Sequence, residues 1–120
     1  MKKIIALVVS FFAALFSIQP AMASERAMQG WKLIEEGAVI VDVRTPAEFA
    51  QGHLEHALNY PVQELDQHVA KLNKDDMIVL YCRSGARVER AIQFLQSQGF
   101  TKLHNAGGLA ELEQAVKATQ

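Results

Sequence analysis

The sequence predicts an α/β domain with a small, mostly parallel sheet flanked by helices on both faces. Two observations support this fold class. Short apolar and β-branched runs, typical of buried parallel strands, alternate along the chain with amphipathic stretches typical of helices. The chain also has 120 residues, of which 50% are hydrophobic. This length suits one domain with a modest core.

The first predicted elements carry clear end signals. Residues 25–36 have apolar side chains at helical spacing and are followed by a glycine, so they form an amphipathic helix. Residues 39–43 are an apolar run of the kind that a buried parallel strand shows. Thr45 is an N-cap, a proline follows it and Glu48 completes a capping box. A short helix therefore begins there, and Gly52 ends it.

The remaining elements continue the alternation. Apolar residues recur every three or four positions in the predicted helices, and β-branched runs mark the strands. We predict, in order, a short strand at 57–60, a helix over 62–72, a strong strand at 77–81, a helix over 88–98, a short strand at 101–104 and a helix over 108–118.

Residues 1–23 have the pattern of a secretory signal peptide. Two lysines precede an apolar run over residues 4–18, and a small-x-small cleavage site ends at Ala23. The alternative is an uncleaved anchor, but the run is shorter than the ~20 residues that span a bilayer as a helix. We therefore expect a periplasmic protein whose mature part is one domain, residues 24–120, with no stable membrane association.

The composition excludes several classes of function. The chain has 12 Lys and Arg against 13 Asp and Glu, a net charge of −1 and no basic run, which argues against a nucleic-acid partner. One cysteine cannot form an intrachain disulfide framework or a thiolate-rich zinc site. His53 and His56 have helical spacing, but no third ligand is apparent in the sequence. We therefore predict neither a metal site nor a cofactor.

A candidate active site follows the predicted strand at 77–81. Ligands of parallel sheets bind beyond the carboxyl ends of the strands, and here the sequence CRSGAR of residues 82–87 leads directly into a helix. Such a loop directs backbone N–H groups at one centre, and Arg83 and Arg87 add positive charge. These surroundings favour a thiolate at Cys82 and attract a small dianion, which suits covalent group transfer. In the alternative interpretation, Cys82 is a small buried hydrophobe and the arginines are solvated.

Asp42 and Arg44 lie at the end of the predicted strand over residues 39–43, near the candidate site. As supporting residues, they could shape or charge the pocket. The interpretation that we favour is a structural ion pair that braces the loop, with Glu48 as one candidate partner.

Four segments resemble the rhodanese family, the thiosulfate sulfurtransferases, in its single-domain exported form. Residues 39–44 read VIVDVR, similar to the strand end of the family with its D-x-R pattern. Residues 48–61 read EFAQGHLEHALNYP, similar to E-[FY]-x-x-G-H-I-x-G-A-x-N-x-P, and residues 82–87 match the C-R-S-G-x-R active loop. Residues 103–108 resemble the L-x-x-G-G turn of the family. The resemblance covers roughly residues 25–118.

Two departures from the family pattern concern local geometry. His56 stands where the family has a glycine, which bears on the turn at that point. The last helix lacks the tryptophan that often follows the two glycines, and Leu112 is the expected replacement in the core. Gly107 and Gly108 are expected to supply a positive φ and a close approach of backbone segments.

The resemblance implies a specific chemistry. Cys82 would take the outer sulfur of thiosulfate, become a persulfide and pass the sulfur to a thiophilic acceptor such as cyanide, a thiol or a dithiol protein. Four residues separate Cys82 from Arg87, as in sulfurtransferases, whereas the related phosphatases have one more. The residues that the resemblance implies for binding the anionic sulfur donor are Arg83, Ser84, Gly85, Ala86, Arg87 and Val88.

Two other functions remain as alternatives. In the first, the protein is a non-enzymatic persulfide carrier or thiol-binding module, and Cys82 holds sulfur for a partner protein. In the second, the protein is an enzyme similar to a phosphatase or an arsenate reductase, which the short loop disfavours.

Overall fold

The computed structural model describes residues 23–120, and within that range four parallel strands form one sheet. The predicted signal peptide therefore lies almost entirely outside the described residues. The strands are β1 (Val39–Asp42), β2 (Leu58–Asn59), β3 (Ile78–Cys82) and β4 (Leu103–Gly108), in the spatial order β2-β1-β3-β4. The helices are α1 (Glu25–Glu35), α2 (Pro46–Gln51), α3 (Leu65–His68), α4 (Ala86–Ser97) and α5 (Leu109–Ala118).

Both faces of the sheet are covered, as the sequence predicts. Side chains alternate along a strand, so successive residues of β3 enter opposite halves of the core. Ile78, Leu80 and Cys82 pack with buried side chains of α4, while Val79 and Tyr81 pack with buried side chains of α1 and α5. The fold class predicted from the sequence is confirmed.

The predicted start of α2 is confirmed in detail. Thr45 Oγ1 accepts a hydrogen bond from the Glu48 N–H at 3.2 Å, and Glu48 Oε1 accepts one from the Thr45 N–H at 3.1 Å. This capping box satisfies donors that the first turn of a helix leaves unpaired. It also fixes the position of the Glu48 carboxylate, which has a second role described below.

The predicted continuous helix over residues 62–72 is wrong. The segment is a 3-10 turn (Val62–Glu64), the short helix α3 and a second 3-10 turn (Val69–Lys71). Glu64 and His68 have φ values of −116° and −112°, which interrupt the helical hydrogen-bond ladder twice. The apolar spacing still brings these residues against the core, but only Leu65 is fully buried.

The other boundaries shift by a few residues. The predicted strand at 57–60 shortens to β2, and α4 begins two residues earlier than predicted. The larger change is at β4, which extends through Gly108, so that the two glycines belong to the strand rather than to a turn before the helix. No helix within residues 23–120 has the length and apolar character needed to cross a bilayer.

Candidate active site

Cys82 is the last residue of β3, and its side chain is fully buried. The chain then turns through Arg83, Ser84 and Gly85 before α4 begins at Ala86. The N–H of Gly85 donates a hydrogen bond to Cys82 Sγ at 2.9 Å. Gly85 has a φ of 92°, in the left-handed region that glycine adopts without strain. The tight turn that aims this N–H at sulfur therefore depends on glycine.

Several loop N–H groups face the sulfur and shift its pKa. Burial by itself raises the pKa of Cys82, because an apolar environment disfavours a thiolate. The backbone N–H groups of Ser84, Val88, Gly85 and Arg87 oppose burial by hydrogen bonding to the sulfur, and the net result is a lowered pKa. Backbone dipoles thus favour the reactive, charged form of a fully buried thiol.

The Arg87 side chain is paired with Glu48 of α2. Arg87 Nη1 lies 2.7 Å from Glu48 Oε1, and Nη2 lies 3.0 Å from Oε2. This bidentate contact, opposed by burial and helped by Thr45, lowers the pKa of Glu48 from 4.5 to about 2. The backbone N–H of Arg87 is among the loop donors that lower the pKa of Cys82, while its guanidinium ties the loop to α2 and adds positive charge nearby.

Arg83 faces a cleft beside the loop. Its side chain is exposed and lines an open cleft of about 380 Å³ together with Arg44, Glu48, Leu109 and Glu113. Two arginines and two carboxylates thus line the opening. The sequence-predicted residues Ser84 and Ala86 are exposed at the same loop, whereas Val88 is buried beneath it.

Asp42 and Arg44 form a buried ion pair with each other. Arg44 Nε and Nη2 lie 2.9 Å and 2.7 Å from the two Asp42 carboxylate oxygens, and Arg44 Nη2 also donates to the Gly52 carbonyl at 2.7 Å. The structural interpretation of this pair agrees with the contacts. Glu48 as a partner of Arg44 is wrong, because the capping box at Thr45 turns its carboxylate toward Arg87.

The Rhodanese-like domain family matches residues 27–115, a range that contains the loop, the ion pairs and every strand described above. The chain belongs to the rhodanese-like domain family. Sulfur transfer is therefore the general chemistry that the fold and the loop around Cys82 indicate.

Two curated relatives of this rhodanese-like domain are sulfurtransferases. A sulfurtransferase of Allochromatium vinosum is 41% identical over 73 residues, which are 61% of this chain and 68% of that protein. The thiosulfate sulfurtransferase PspE of Escherichia coli (strain K12) is 34% identical over 74 residues, which are 60% of this chain and 71% of that protein. Both matches support a transferase.

Solved structures resemble it over most of their own length. A rhodanese with anions from E. coli has a TM-score of 0.59 and 32% identity, covering 62% of this chain and 91% of that one. The human single-domain sulfurtransferase TSTD1 has a TM-score of 0.60 and 28% identity, covering 80% of this chain and 97% of that one. By contrast, a tRNA uridine(34) hydroxylase of Enterobacter sp. (strain 638) matches over 26% of its length, so the domain also serves within larger proteins.

The departures from the family pattern are accommodated locally. His56, in the place of the family's glycine, adopts a φ of 70°, so the turn keeps the left-handed conformation with a larger residue. Leu112 is fully buried, as expected. His53 Nδ1 lies 2.8 Å from the Phe49 carbonyl oxygen, and its ring stacks on Phe49 at 3.6 Å. Among residues 23–120 no cluster of three His, Cys, Asp or Glu side chains is placed to hold a metal.

The two glycines of β4 have the expected roles. Gly107 has a φ of 88°. A Cβ on Gly108 would overlap the carbonyl oxygen of Arg83, so the backbone of β4 lies directly against the active loop. Both expectations from the sequence are confirmed.

Three residues near the loop were missed by the sequence analysis. Arg26 of α1 donates to the Ser84 carbonyl at 2.9 Å and is paired with Glu111 of α5. Asn105 of β4 donates to the Gly85 carbonyl at 3.1 Å. The only local signal is at Glu111, which lies three residues after Gly108 in a capping-box position. The other two contacts join residues far apart in the chain, which no sequence motif reveals.

Proposed function

We propose that this rhodanese-like domain is a thiosulfate sulfurtransferase in which Cys82 carries the transferred sulfur as a persulfide. The observation that supports this most directly is the hydrogen bond from the Gly85 N–H to a fully buried Cys82 Sγ, at the centre of a loop that lowers the pKa of the thiol. The name of the E. coli relative supports thiosulfate as the sulfur donor.

The first half-reaction is a displacement at the outer sulfur of thiosulfate. The Cys82 thiolate forms a new S–S bond to this sulfur while the bond to the sulfonate group breaks, and the electron pair of that bond leaves with sulfite. The products are a Cys82 persulfide anion and sulfite, so the charge is conserved. Sulfite is a good leaving group, and the step therefore needs no general acid.

The second half-reaction returns the enzyme to its starting state. A nucleophilic acceptor such as cyanide attacks the outer persulfide sulfur, and the S–S bond breaks with its electrons on Cys82. Thiocyanate leaves and the thiolate is restored. The loop N–H groups that contact the thiolate serve the persulfide anion and the donor dianion in the same way, because each carries negative charge at the centre of the loop.

The proposal includes export to the periplasm. Residues 1–23 are proposed as a cleaved signal peptide, so the working enzyme is residues 24–120. N-terminal sequencing of the protein recovered from the periplasmic fraction of a Gram-negative host tests this part. Ser24 as the first residue supports it, and recovery of the full chain in the membrane fraction contradicts it.

Intact mass spectrometry tests the proposed chemistry. Reduced protein is measured before thiosulfate, after thiosulfate and after cyanide, with Cys82→Ser as the matched control. We expect a gain of one sulfur atom that is absent from the variant and is removed by cyanide with release of thiocyanate. A folded protein that gains no sulfur from thiosulfate contradicts the proposal. Slow turnover with cyanide, alongside efficient transfer to a dithiol protein, would instead favour the carrier function.

A further inference from the structure

The outer side of the active loop is held by parts of the chain remote from it. The Arg83 carbonyl lies against Gly108. The Ser84 carbonyl accepts a hydrogen bond from Arg26 Nη2 at 2.9 Å, and the Gly85 carbonyl accepts one from Asn105 Nδ2 at 3.1 Å. Three successive carbonyl groups of the loop thus meet β4, α1 and again β4. The Ser84 carbonyl is the one held by a charged group.

The Ser84 carbonyl and the Gly85 N–H belong to one peptide unit. A trans peptide is planar, and its C=O and N–H bonds point in opposite directions. In this unit the oxygen is held by Arg26, and the N–H donates to Cys82 Sγ at 2.9 Å. Rotation of the peptide would break both contacts together. Holding the oxygen therefore holds the N–H on the sulfur.

Arg26 is itself fixed in place by a second element. Its Nη2 and Nε lie 2.7 Å and 3.1 Å from the two carboxylate oxygens of Glu111. Glu111 Oε1 also accepts the N–H of Gly108 at 3.1 Å. A Cβ on Gly85 would lie only 2.7 Å from Arg26 Nη1, so the guanidinium rests directly against the loop. The ion pair with Glu111 and the close packing against Gly85 both keep Arg26 on the Ser84 carbonyl.

We propose that Arg26 is a positioning residue for Cys82: through the Ser84 carbonyl it turns the Gly85 N–H onto the sulfur and so stabilises the thiolate. The same contact serves the persulfide anion, and this extension rests on the proposed function. Arg26 reaches the sulfur through one peptide unit and does not touch the reacting atoms.

The competing explanation is that Arg26 acts only through its charge. The two explanations predict opposite effects on thiolate stability when Glu111 is neutralised. If Arg26 acts only as a nearby positive charge, Glu111→Gln removes a negative charge and makes the thiolate more stable. If Arg26 acts by position, the same variant releases the guanidinium from its anchor and makes the thiolate less stable. The side chain of glutamine is close in size to that of glutamate and keeps an oxygen that can accept the hydrogen bond from the Gly108 N–H.

The test is the rate of Cys82 alkylation by iodoacetamide as a function of pH, which reports the thiolate fraction. We expect Arg26→Gln to shift the profile to higher pH and to slow alkylation about tenfold on its acidic side, since one charge-assisted contact is lost. Glu111→Gln should shift it in the same direction, and Arg26→Lys should give intermediate rates. Arg90→Gln, which removes an equal charge at an exposed site on α4, should leave the profile unchanged.

Other groups around the loop also carry charge. His104 Nε2 lies 2.8 Å from the Arg26 carbonyl oxygen, so its imidazole contacts the residue under test. A His104→Gln profile is therefore recorded beside the others. The other charged groups at the loop, at Arg26 or at the cleft beside them are Asp42, Arg44, Glu48, Arg83, Arg87, Glu89, Glu111 and Glu113.

Two results would overturn the inference. One is an Arg26→Gln profile that coincides with that of the unmodified protein, and the other is faster acidic alkylation in Glu111→Gln. If Arg26→Gln does not fold, as judged by circular dichroism, Arg26→Lys and Glu111→Gln decide the question. The assay needs no thiosulfate, so the inference can hold even where the mass experiment rejects the proposed donor.

Discussion

Replacing Asp42 with asparagine should destabilise the domain by about 3 kcal/mol. The Asp42 side chain is fully buried and accepts hydrogen bonds from the Arg44 backbone N–H, Nε and Nη2 at 2.7–3.1 Å. Asparagine keeps the shape but loses the charge and one acceptor. Arg44, whose side chain is only 9% exposed, then carries an uncompensated charge in a largely buried site.

The size of this stability loss depends on whether one charge of the pair is left behind or both are removed. Removing one member of a buried ion pair costs about 3–5 kcal/mol, because the other charge stays buried without a partner. We take the lower end because Arg44 keeps its hydrogen bond to the Gly52 carbonyl and borders the open cleft. For a domain of this size, a loss of about 3 kcal/mol lowers the melting temperature by about 12 °C or more.

Thermal unfolding followed by circular dichroism measures this effect, and a double-mutant cycle gives the control. Asp42→Asn combined with Arg44→Met should cost less than the sum of the single variants, since the orphaned charge is gone. A loss below about 1 kcal/mol for Asp42→Asn, or strict additivity in the cycle, would refute the assignment of a buried, coupled pair.

Three further outcomes are expected. Gly108→Ala should displace the active loop, which lowers the denaturation midpoint in urea and slows Cys82 alkylation at acidic pH. The control is Gly37→Ala, because Gly37 has open space around it. This variant should lower the midpoint only through its positive φ and leave the alkylation rate unchanged. Because the pKa of Glu48 falls from 4.5 to about 2 on folding, its contribution to stability is full above about pH 4.5 and is lost as the pH falls toward 2. Acid titration of unfolding should show a shallower loss for Glu48→Gln, and equal slopes would contradict the ion pair. Arg87→Ala should raise the KM for thiosulfate about tenfold, and an unchanged KM in steady-state assays would remove its charge from donor binding.

Local signals in the sequence were sufficient for most of the fold. The capping box at Thr45 and Glu48 uses residues three apart, and the strand before Cys82 is one uninterrupted apolar run, so neither depends on distant contacts. The segment over residues 62–72 shows the limit of this approach. Its apolar spacing reveals which side faces the core, but spacing does not report whether each backbone turn is α or 3-10.

The chemistry of the site was predictable to a similar degree. The nucleophile and its loop are consecutive residues, so a short sequence motif is enough to recognise them. The residues that hold the loop are not: Glu48 meets Arg87 across 39 positions, and Arg26 meets Ser84 across 58. Charged residues at such separations have many possible partners in a sequence. Only the assembled sheet and helices select one of them.

The contact between Arg26 and the Ser84 carbonyl of the active loop has a consequence for the folding of a newly made chain. Arg26 and its anchor lie near opposite ends of the domain, since Arg26 belongs to α1 and its anchor Glu111 belongs to α5. A ribosome-bound chain that has emerged only as far as Cys82 lacks both the anchor and the β4 backbone on which the loop rests. The thiol of such a chain lacks these contacts. The full set of contacts that favour the thiolate is therefore assembled only when the last helix docks.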